Sequence, residues 1–129
     1  MIKSFRLVLN VDDLDSALRF YRDALKLKTL ESWDSPDGRG VILELPVSTL
    51  EIMDRKNANS VDELEAGVRL NGDIRLGLEV NGLNSVVENL EQHGAKPVHD
   101  AVQTPWNSLN QRLETPDAKQ LTVFQERKT

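Results

Sequence analysis

The sequence predicts an α+β fold made of two tandem βαβββ units. Three observations support this prediction: an alternating strand pattern followed by helical spacing, three further strand-like pieces after that helix, and a second copy of the pattern later in the chain. We predict a single domain over residues 1–129, with repeat units at about 1–54 and 73–127 and a linker at 55–72.

The first unit begins with a segment in which side chains alternate with a period of two, as in a half-buried strand. One face carries Phe5, Leu7, Leu9 and Val11, and the other carries Arg6, Val8 and Asn10. Asp12 or Asp13 then offers a cap for a helix over 14–25. Its predicted apolar stripe contains Leu14, Ala17, Leu18, Tyr21 and Leu25.

Three strand-like pieces complete this unit, at Leu30–Trp33, Val41–Leu45 and Leu50–Met53. Pro36, Asp37 and Gly38 favour a turn between the first two. The polar segment that follows predicts a linker with a short helix of its own. Ser60 and Glu63 have the spacing of a capping box, with Leu64 as a possible apolar anchor.

The second unit is predicted from an internal repeat. RLVLNVDDLDSAL, from Arg6, aligns with RLGLEVNGLNSVV, from Arg75, and six of the thirteen residues are identical. A second match follows in the same order, where Leu50-Glu51-Ile52 corresponds to Leu121-Thr122-Val123. Each unit is too small to form a core alone, so the two are expected to pack as one domain.

Composition limits the function classes. The chain has 129 residues, no cysteine and a formal net charge of −5. The absence of cysteine excludes disulfides, thiolate metal sites and cysteine nucleophiles. The acidic balance argues against a nucleic-acid partner. No leader peptide or membrane-spanning apolar run is found, so we expect a cytoplasmic protein without a membrane partner.

The strand-to-helix segment from Leu9 to Leu25 resembles the signature of the vicinal oxygen chelate superfamily, which includes glyoxalases, bleomycin-resistance proteins and extradiol dioxygenases. Pro105-Trp106, followed by Thr115-Pro116-Asp117, resembles a second motif of that family. The resemblance implies that the two units form paired half-barrels around a cleft, with Asn110 and Arg112 beside its mouth. It also implies a homodimer.

The resemblance places the family's metal ligands at Arg6, Glu51, Arg75 and Thr122 of this chain. Arginine has no lone pair to give to a metal, and only Glu51 is a typical ligand. We therefore expect no metal site and no cofactor. Arg6, Glu51 and Arg75 are expected either to form a structural Arg–Glu–Arg cluster or to bind an anionic or carbonyl-bearing ligand.

Further candidates for contact with a ligand follow from the strand alternation and from positions beside the middle strands. The complete set of predicted ligand-binding residues is Arg6, Val8, Asn10, Glu51, Met53, Arg75, Glu79, His99, Trp106, Thr122 and Phe124. Trp33 lies beside a middle strand like Trp106, and for both the competing expectation is packing in the core, which is more common for a tryptophan in a small protein. No catalytic residue is predicted, since no pair of nucleophile and base is recognisable.

The leading functional expectation is metal-free binding of a small molecule, such as sequestration of a drug or metabolite. The alternative is a glyoxalase-like lyase, isomerase or dioxygenase that uses Glu51 with an atypical metal site. A third possibility is a structural or regulatory module in which the cleft is filled by the protein's own side chains. Fold resemblance alone does not choose among them.

Overall fold

The computed structural model describes residues 2–67 and 72–127. The first unit consists of β1 (Ile2–Val11), α1 (Leu14–Leu18) with a π-helical continuation (Arg19–Ala24), β2 (Thr29–Ser35), β3 (Gly38–Leu45) and β4 (Ser48–Asp54). A helix, α2 (Arg55–Ala66), connects it to the second unit. That unit consists of β5 (Ile74–Val80), α3 (Leu83–Gln92), β6 (Lys96–Pro97), β7 (Val102–Gln103), β8 (Ser108–Glu114) and β9 (Gln120–Glu126).

The strands form one mixed sheet in the order β2-β3-β4-β1-β5-β9-β8-β6, and β7 also pairs with β8. The two units join through antiparallel pairing of β1 with β5, in which Leu7 lies opposite Leu76. These two leucines are equivalent in the sequence repeat, so a pseudo-two-fold axis passes between them. The predicted α+β fold of two tandem βαβββ units is confirmed.

The outer face of the sheet carries the main hydrophobic cores, one in each unit. In the first, Leu14 and Leu18 of α1 pack with Leu43 and Ile52 of the sheet. In the second, α3 packs in the same way on the strands around Val123. The partly buried side chains of β1 that join the first core are Leu7, Leu9 and Val11, which confirms the predicted alternation.

The first helix follows the prediction at its start and departs from it at its end. Asp13 caps it, because its side chain accepts a hydrogen bond from the Ser16 backbone N–H over 3.0 Å. After Leu18 the backbone widens into π turns, in which the Leu25 N–H bonds to the carbonyl of Phe20. This change of period moves Leu25 off the apolar stripe, and it is 53% exposed. Its predicted burial was wrong.

The connecting helix α2 is longer than the linker pattern indicated. Its cap is Asp54, whose carboxylate accepts a 2.8 Å hydrogen bond from the Asn57 backbone N–H. The capping box at Ser60 and Glu63 was therefore wrong, since both lie inside the helix. The helix ends at Gly67, whose φ of 71° is the left-handed conformation that glycine favours. Residues 68–71 of the predicted linker lie outside the described residues.

The two ends of the connection are held together by Arg55. Its guanidinium contacts Asp73 at 2.5 Å and Asp12 at 2.8 Å. Between these ends, α2 lies over the inner face of the sheet and packs Ala58 against Val8 and Met53. No helix within the described residues is long and apolar enough to cross a membrane.

Candidate ligand-binding site

A cavity of about 600 Å³ lies between α2 and the inner face of the sheet. Side chains from seven of the strands line it, which shows that the sheet curves around the cavity as the half-barrel prediction implied. The strand residues that line it include Arg6, Glu31, Trp33, Ile42, Glu51, Arg75, Asn110 and Phe124. The lining from α2 is Asn57, Ser60, Val61, Leu64 and Glu65, and Pro105 to Asn107 add a loop.

The floor of the cavity in the first unit is built around Arg6. Its Nε donates to Thr49 Oγ1 over 3.0 Å, and its Nη1 donates to Glu51 Oε1 over 3.3 Å. The guanidinium also lies over the ring of Phe124, 5.3 Å from its centroid, at a distance that permits a cation–π interaction. Arg6 is thus held in place from three sides.

Arg75 has a different environment, although it is the repeat equivalent of Arg6. It donates one hydrogen bond, from Nη1 to Thr122 Oγ1 over 2.6 Å, and the hydroxyl of Thr122 lies 3.4 Å from Glu65 Oε1. Of the two arginines, only Arg6 is hydrogen-bonded to Glu51. The expected Arg–Glu–Arg cluster is therefore divided into an Arg6–Glu51 pair and an Arg75–Thr122–Glu65 chain.

A second buried network connects α2 to β8. Arg112 is 1% exposed, and its Nη1 donates to Asp62 over 2.9 Å while its Nη2 donates to Glu65 Oε1 over 2.8 Å. The other oxygen of Glu65 accepts from Asn110 over 2.7 Å, and Asn110 in turn accepts from Ser108. Two carboxylates of α2 thus compensate a guanidinium that would otherwise be buried at high cost.

Burial dominates the electrostatics of the floor. Desolvation raises the pKa of the Glu51 carboxyl, and the nearby charges of Arg75 and Arg6 only partly oppose this. Desolvation likewise lowers the pKa of Arg75, with Glu65 opposing and Arg112 reinforcing the shift. Both groups therefore occupy positions where their charged forms are incompletely compensated by the protein.

Aromatic rings form part of the cavity wall. Trp33 lies close against Gly40 of the paired strand, where an added Cβ would be 2.2 Å from the indole ring. Its indole N–H donates to Asn57 Oδ1 over 3.1 Å, which connects β2 to α2. Trp106 is 50% exposed and lies in the loop before β8. The site therefore combines polar groups on its floor with flat apolar surfaces on its walls.

The predicted ligand-binding residues fall into three groups in the structure. Those that line the cavity are Arg6, Glu51, Arg75, Trp106 and Phe124, and Trp33 lines it as well. Val8 and Met53 lie on the same inner face but are each 1% exposed beneath α2. Thr122 is buried and holds Arg75. Asn10 lies beside a small adjoining space and donates to the Gly72 carbonyl over 2.7 Å.

The third group lies away from the cavity. Glu79 accepts a hydrogen bond from Ser4 over 2.9 Å and has Lys3 at 3.7 Å. His99, predicted to contact a ligand from beside a middle strand, is exposed and lies beyond β6, which ends at Pro97. A contact of either residue with a ligand in this cavity is not supported by its position.

The sequence did not lead us to predict that α2 forms part of the cavity, or that its carboxylates pair with a buried Arg112. Asp62 and Glu65 are one helical turn apart, a spacing that in a polar segment usually indicates a solvated face. A signal was nevertheless present in the repeat, where Arg112 takes the place of the apolar Ile42. A charged residue at a core position requires a buried partner, and the acidic linker helix supplies it.

The four positions implied for a metal keep their pseudo-symmetric arrangement. Val8 pairs with Glu51 on one side, and its equivalent Gly77 pairs with Thr122 on the other. The side chains themselves do not fit a divalent cation, because two are guanidiniums and the Thr122 oxygen is engaged by Arg75. Within the described ranges, no three His, Asp or Glu side chains lie close enough to share a metal ion.

Solved structures with this fold cover nearly all of the chain. A hypothetical protein from Bacillus halodurans C-125 is 17% identical, with a TM-score of 0.74 and coverage of 99% of this chain and 96% of that one. Methylmalonyl-CoA epimerase from Mycobacterium tuberculosis is 16% identical, with a TM-score of 0.69 and coverage of 98% and 90%.

A glyoxalase/bleomycin resistance protein/dioxygenase superfamily member from Vibrio splendidus 12B01 is 12% identical, with a TM-score of 0.65 and coverage of 98% of this chain and 100% of that one. At these identities the likeness shows the fold alone. No curated protein sequence matches the chain. The sequence profile of one family, however, matches residues 3–120. The chain belongs to the Glyoxalase/Bleomycin resistance protein/Dioxygenase superfamily.

Proposed function

We propose that this protein binds a small organic molecule, a drug or a metabolite, without a metal ion, in the cavity between α2 and the sheet. The cavity carries the proposal, since its volume of about 600 Å³ is typical of small-molecule sites. Its mixture of aromatic walls and a few oriented polar groups is also characteristic of such sites. Binding of an organic molecule does not require a metal ion, so it does not depend on the metal ligands that are missing from this chain.

A screen of metabolites and antibiotics by thermal shift tests the proposal. Ligands should raise the melting temperature of the protein, equally with and without a chelator. Ser60→Phe should abolish this effect, because Ser60 lies on the cavity side of α2. Lys56→Phe is the matched control, since Lys56 is exposed on the same helix and does not line the cavity. Ligand shifts that survive in Ser60→Phe would contradict binding in this cavity.

A second candidate function is proton transfer next to a carbonyl group, as an isomerase or lyase would require. The observation that favours it is Glu51, a partly buried carboxyl that lines the cavity and whose pKa desolvation raises. Such a group is suited to act as a general base. Deuterium incorporation from D₂O into acyl thioesters and 2-oxo acids, followed by NMR, would reveal it. The exchange should be lost in Glu51→Gln, and near-stoichiometric metal in purified protein would strengthen this candidate.

We also propose a cytoplasmic homodimer. Large apolar side chains remain exposed on the first unit, including Phe20 at 58% and Leu30 at 48%. Exposed apolar surface of this kind is often covered by a partner. Light scattering coupled to gel filtration tests the dimer, and a monomer at all accessible concentrations would contradict it.

A further inference from the structure

Arg75 and Glu51 lie on the floor of the same cavity without forming a pair. Both are register partners of Val8, one on each side of β1, so their strands are separated by one strand. Among the described residues, Glu51 forms its ion pair with Arg6, and Arg75 takes part in none of the ion pairs found. A buried cation and a partly buried anion thus face one space from opposite sides of β1.

Each of the two groups has unused hydrogen-bonding capacity. A guanidinium has five N–H donors, and Arg75, with 9% of its surface exposed, uses one of them on Thr122 within the described chain. Glu51 accepts on Oε1 from Arg6 at the long distance of 3.3 Å, and its Oε2 has no donor among the described residues. Buried charges of this kind are costly unless a partner completes them.

The charges on the floor restrict what the partner is. Four of the charged residues that line the cavity are exposed, namely Glu31, Asp37, Glu126 and Arg127. The other four, which are buried or partly buried, are two cations and two anions: Arg6, Arg75, Glu51 and Glu65. An anion bound to Arg75 would face the carboxylate of Glu51, in which Arg6 contacts one oxygen at 3.3 Å. A cation bound to Glu51 would equally face Arg75. A ligand that carries both charges avoids either repulsion.

The walls restrict the remainder of the ligand. The aromatic residues Trp33 and Phe124 line the cavity, and Ile42 and Val61 add aliphatic surface. These groups favour a ligand in which the part that carries no charge is apolar or aromatic. The volume accommodates an amino acid with a large side chain.

We propose that the ligand is a zwitterion with an apolar body, of the chemical class of an amino acid with a large apolar or aromatic side chain. Its carboxylate binds the free N–H groups of Arg75, and its ammonium group binds Glu51. The body lies against the aromatic walls. This assignment rests on the proposed binding function and specifies the ligand class for the same site.

Four probes with one phenyl ring separate the charges: L-phenylalanine carries both, 2-phenylethylamine the cation, 3-phenylpropionate the anion and 2-phenylethanol neither. The protein has two tryptophans, Trp33 and Trp106, and both line the cavity. Their emission can therefore be followed selectively while these probes are titrated. Phenylalanine should bind about tenfold or more tightly than each of the other three, as expected for one additional charge-assisted contact.

Two variants assign the contacts. Arg75→Met should reduce phenylalanine to the affinity of phenylethylamine, and Glu51→Gln should reduce it to the affinity of phenylpropionate. Glu88→Gln, on the exposed side of α3, is the control and should leave all four affinities unchanged. If Arg75→Met does not fold, Arg75→Lys retains the charge without the planar donor pair and should weaken phenylalanine and phenylpropionate alike.

The inference is overturned if phenylethylamine or phenylpropionate binds the wild type as tightly as phenylalanine. It is also overturned if the preference for phenylalanine survives in both variants. If no zwitterion binds while the screen finds neutral or singly charged ligands, the ligand class is wrong and the binding function stands. If neither experiment finds a ligand, both proposals fail.

Discussion

Removing the carboxylate of Glu65 should strongly destabilise the protein, because Glu65 is the centre of the buried network between α2 and the sheet. Glu65 is 1% exposed, and it accepts hydrogen bonds from Arg112 at 2.8 and 3.3 Å and from Asn110 at 2.7 Å. In Glu65→Ala the buried Arg112 would retain Asp62, and the amide of Asn110 would lose its acceptor.

The size of the loss follows from the cost of an incompletely paired buried charge. Breaking a buried ion pair by removal of one partner costs about 3–5 kcal/mol. We expect the free energy of unfolding to fall by this amount, against a total of about 5–15 kcal/mol for a typical domain. Glu65→Gln keeps the shape and an acceptor for Asn110, so it should cost less, about 1.5–3 kcal/mol.

Urea unfolding followed by far-UV circular dichroism measures these changes. Glu88→Ala on the exposed side of α3 is the control, and it should stay within about 0.5 kcal/mol of the wild type. Arg112→Met and the double variant with Glu65→Ala complete a cycle, in which the double variant should lose less than the sum of the single variants. A loss below about 1 kcal/mol in Glu65→Ala would refute the idea that this network fixes α2 to the sheet.

Three further predictions follow. Gly40→Ala should displace the Trp33 indole and cost about 1–3 kcal/mol, because the new Cβ would lie 2.2 Å from the ring; an unchanged tryptophan emission spectrum would contradict this. Because burial raises the pKa of Glu51, the folded state binds that proton more tightly than the unfolded chain. Stability should therefore fall as pH rises from the unfolded towards the folded pKa, and Glu51→Gln should remove that fall in pH-dependent melting curves. If stability instead falls more steeply with pH in Glu51→Gln than in the wild type, the sign of the Glu51 contribution is wrong. Addition of Zn²⁺, Ni²⁺ or Mn²⁺ should leave the melting temperature of the wild type unchanged, whereas a rise that saturates near one equivalent would restore the metal-dependent alternative.

The fold was predictable because it depends on a pattern that occurs twice. The repeat aligned Leu7 with Leu76, and the structure pairs these two residues across the pseudo-two-fold axis. Strand alternation is also local, so it identified the inner-face positions of Arg6 and Arg75 correctly. These features follow from backbone periodicity and require no knowledge of distant contacts.

The position of α2 was not predictable in the same way. The side of α2 that faces the sheet carries Asp62 and Glu65. A helix face with charged residues is normally predicted to be exposed to solvent. Those residues are buried because Arg112 lies opposite them, about fifty positions later in the chain. Such a long-range charge pairing leaves no local periodicity, so its only signal in the sequence was Arg112 at the position equivalent to the apolar Ile42.

The same helix explains why two equivalent arginines have different chemistry. Arg6 and Arg75 occupy matching positions in the two units, yet Arg6 is hydrogen-bonded to Glu51 of its own unit, and Arg75 has no hydrogen bond to a carboxylate within the part of the chain that the structure describes. At the position equivalent to Glu51 the second unit has Thr122. The carboxylate of Glu65, on α2, is connected to Arg75 only through the hydroxyl of Thr122. A pseudo-symmetric backbone therefore encloses an asymmetric cavity, with a satisfied guanidinium on one side and an incompletely satisfied one on the other. A ligand that pairs with Arg75 should consequently bind in a single orientation.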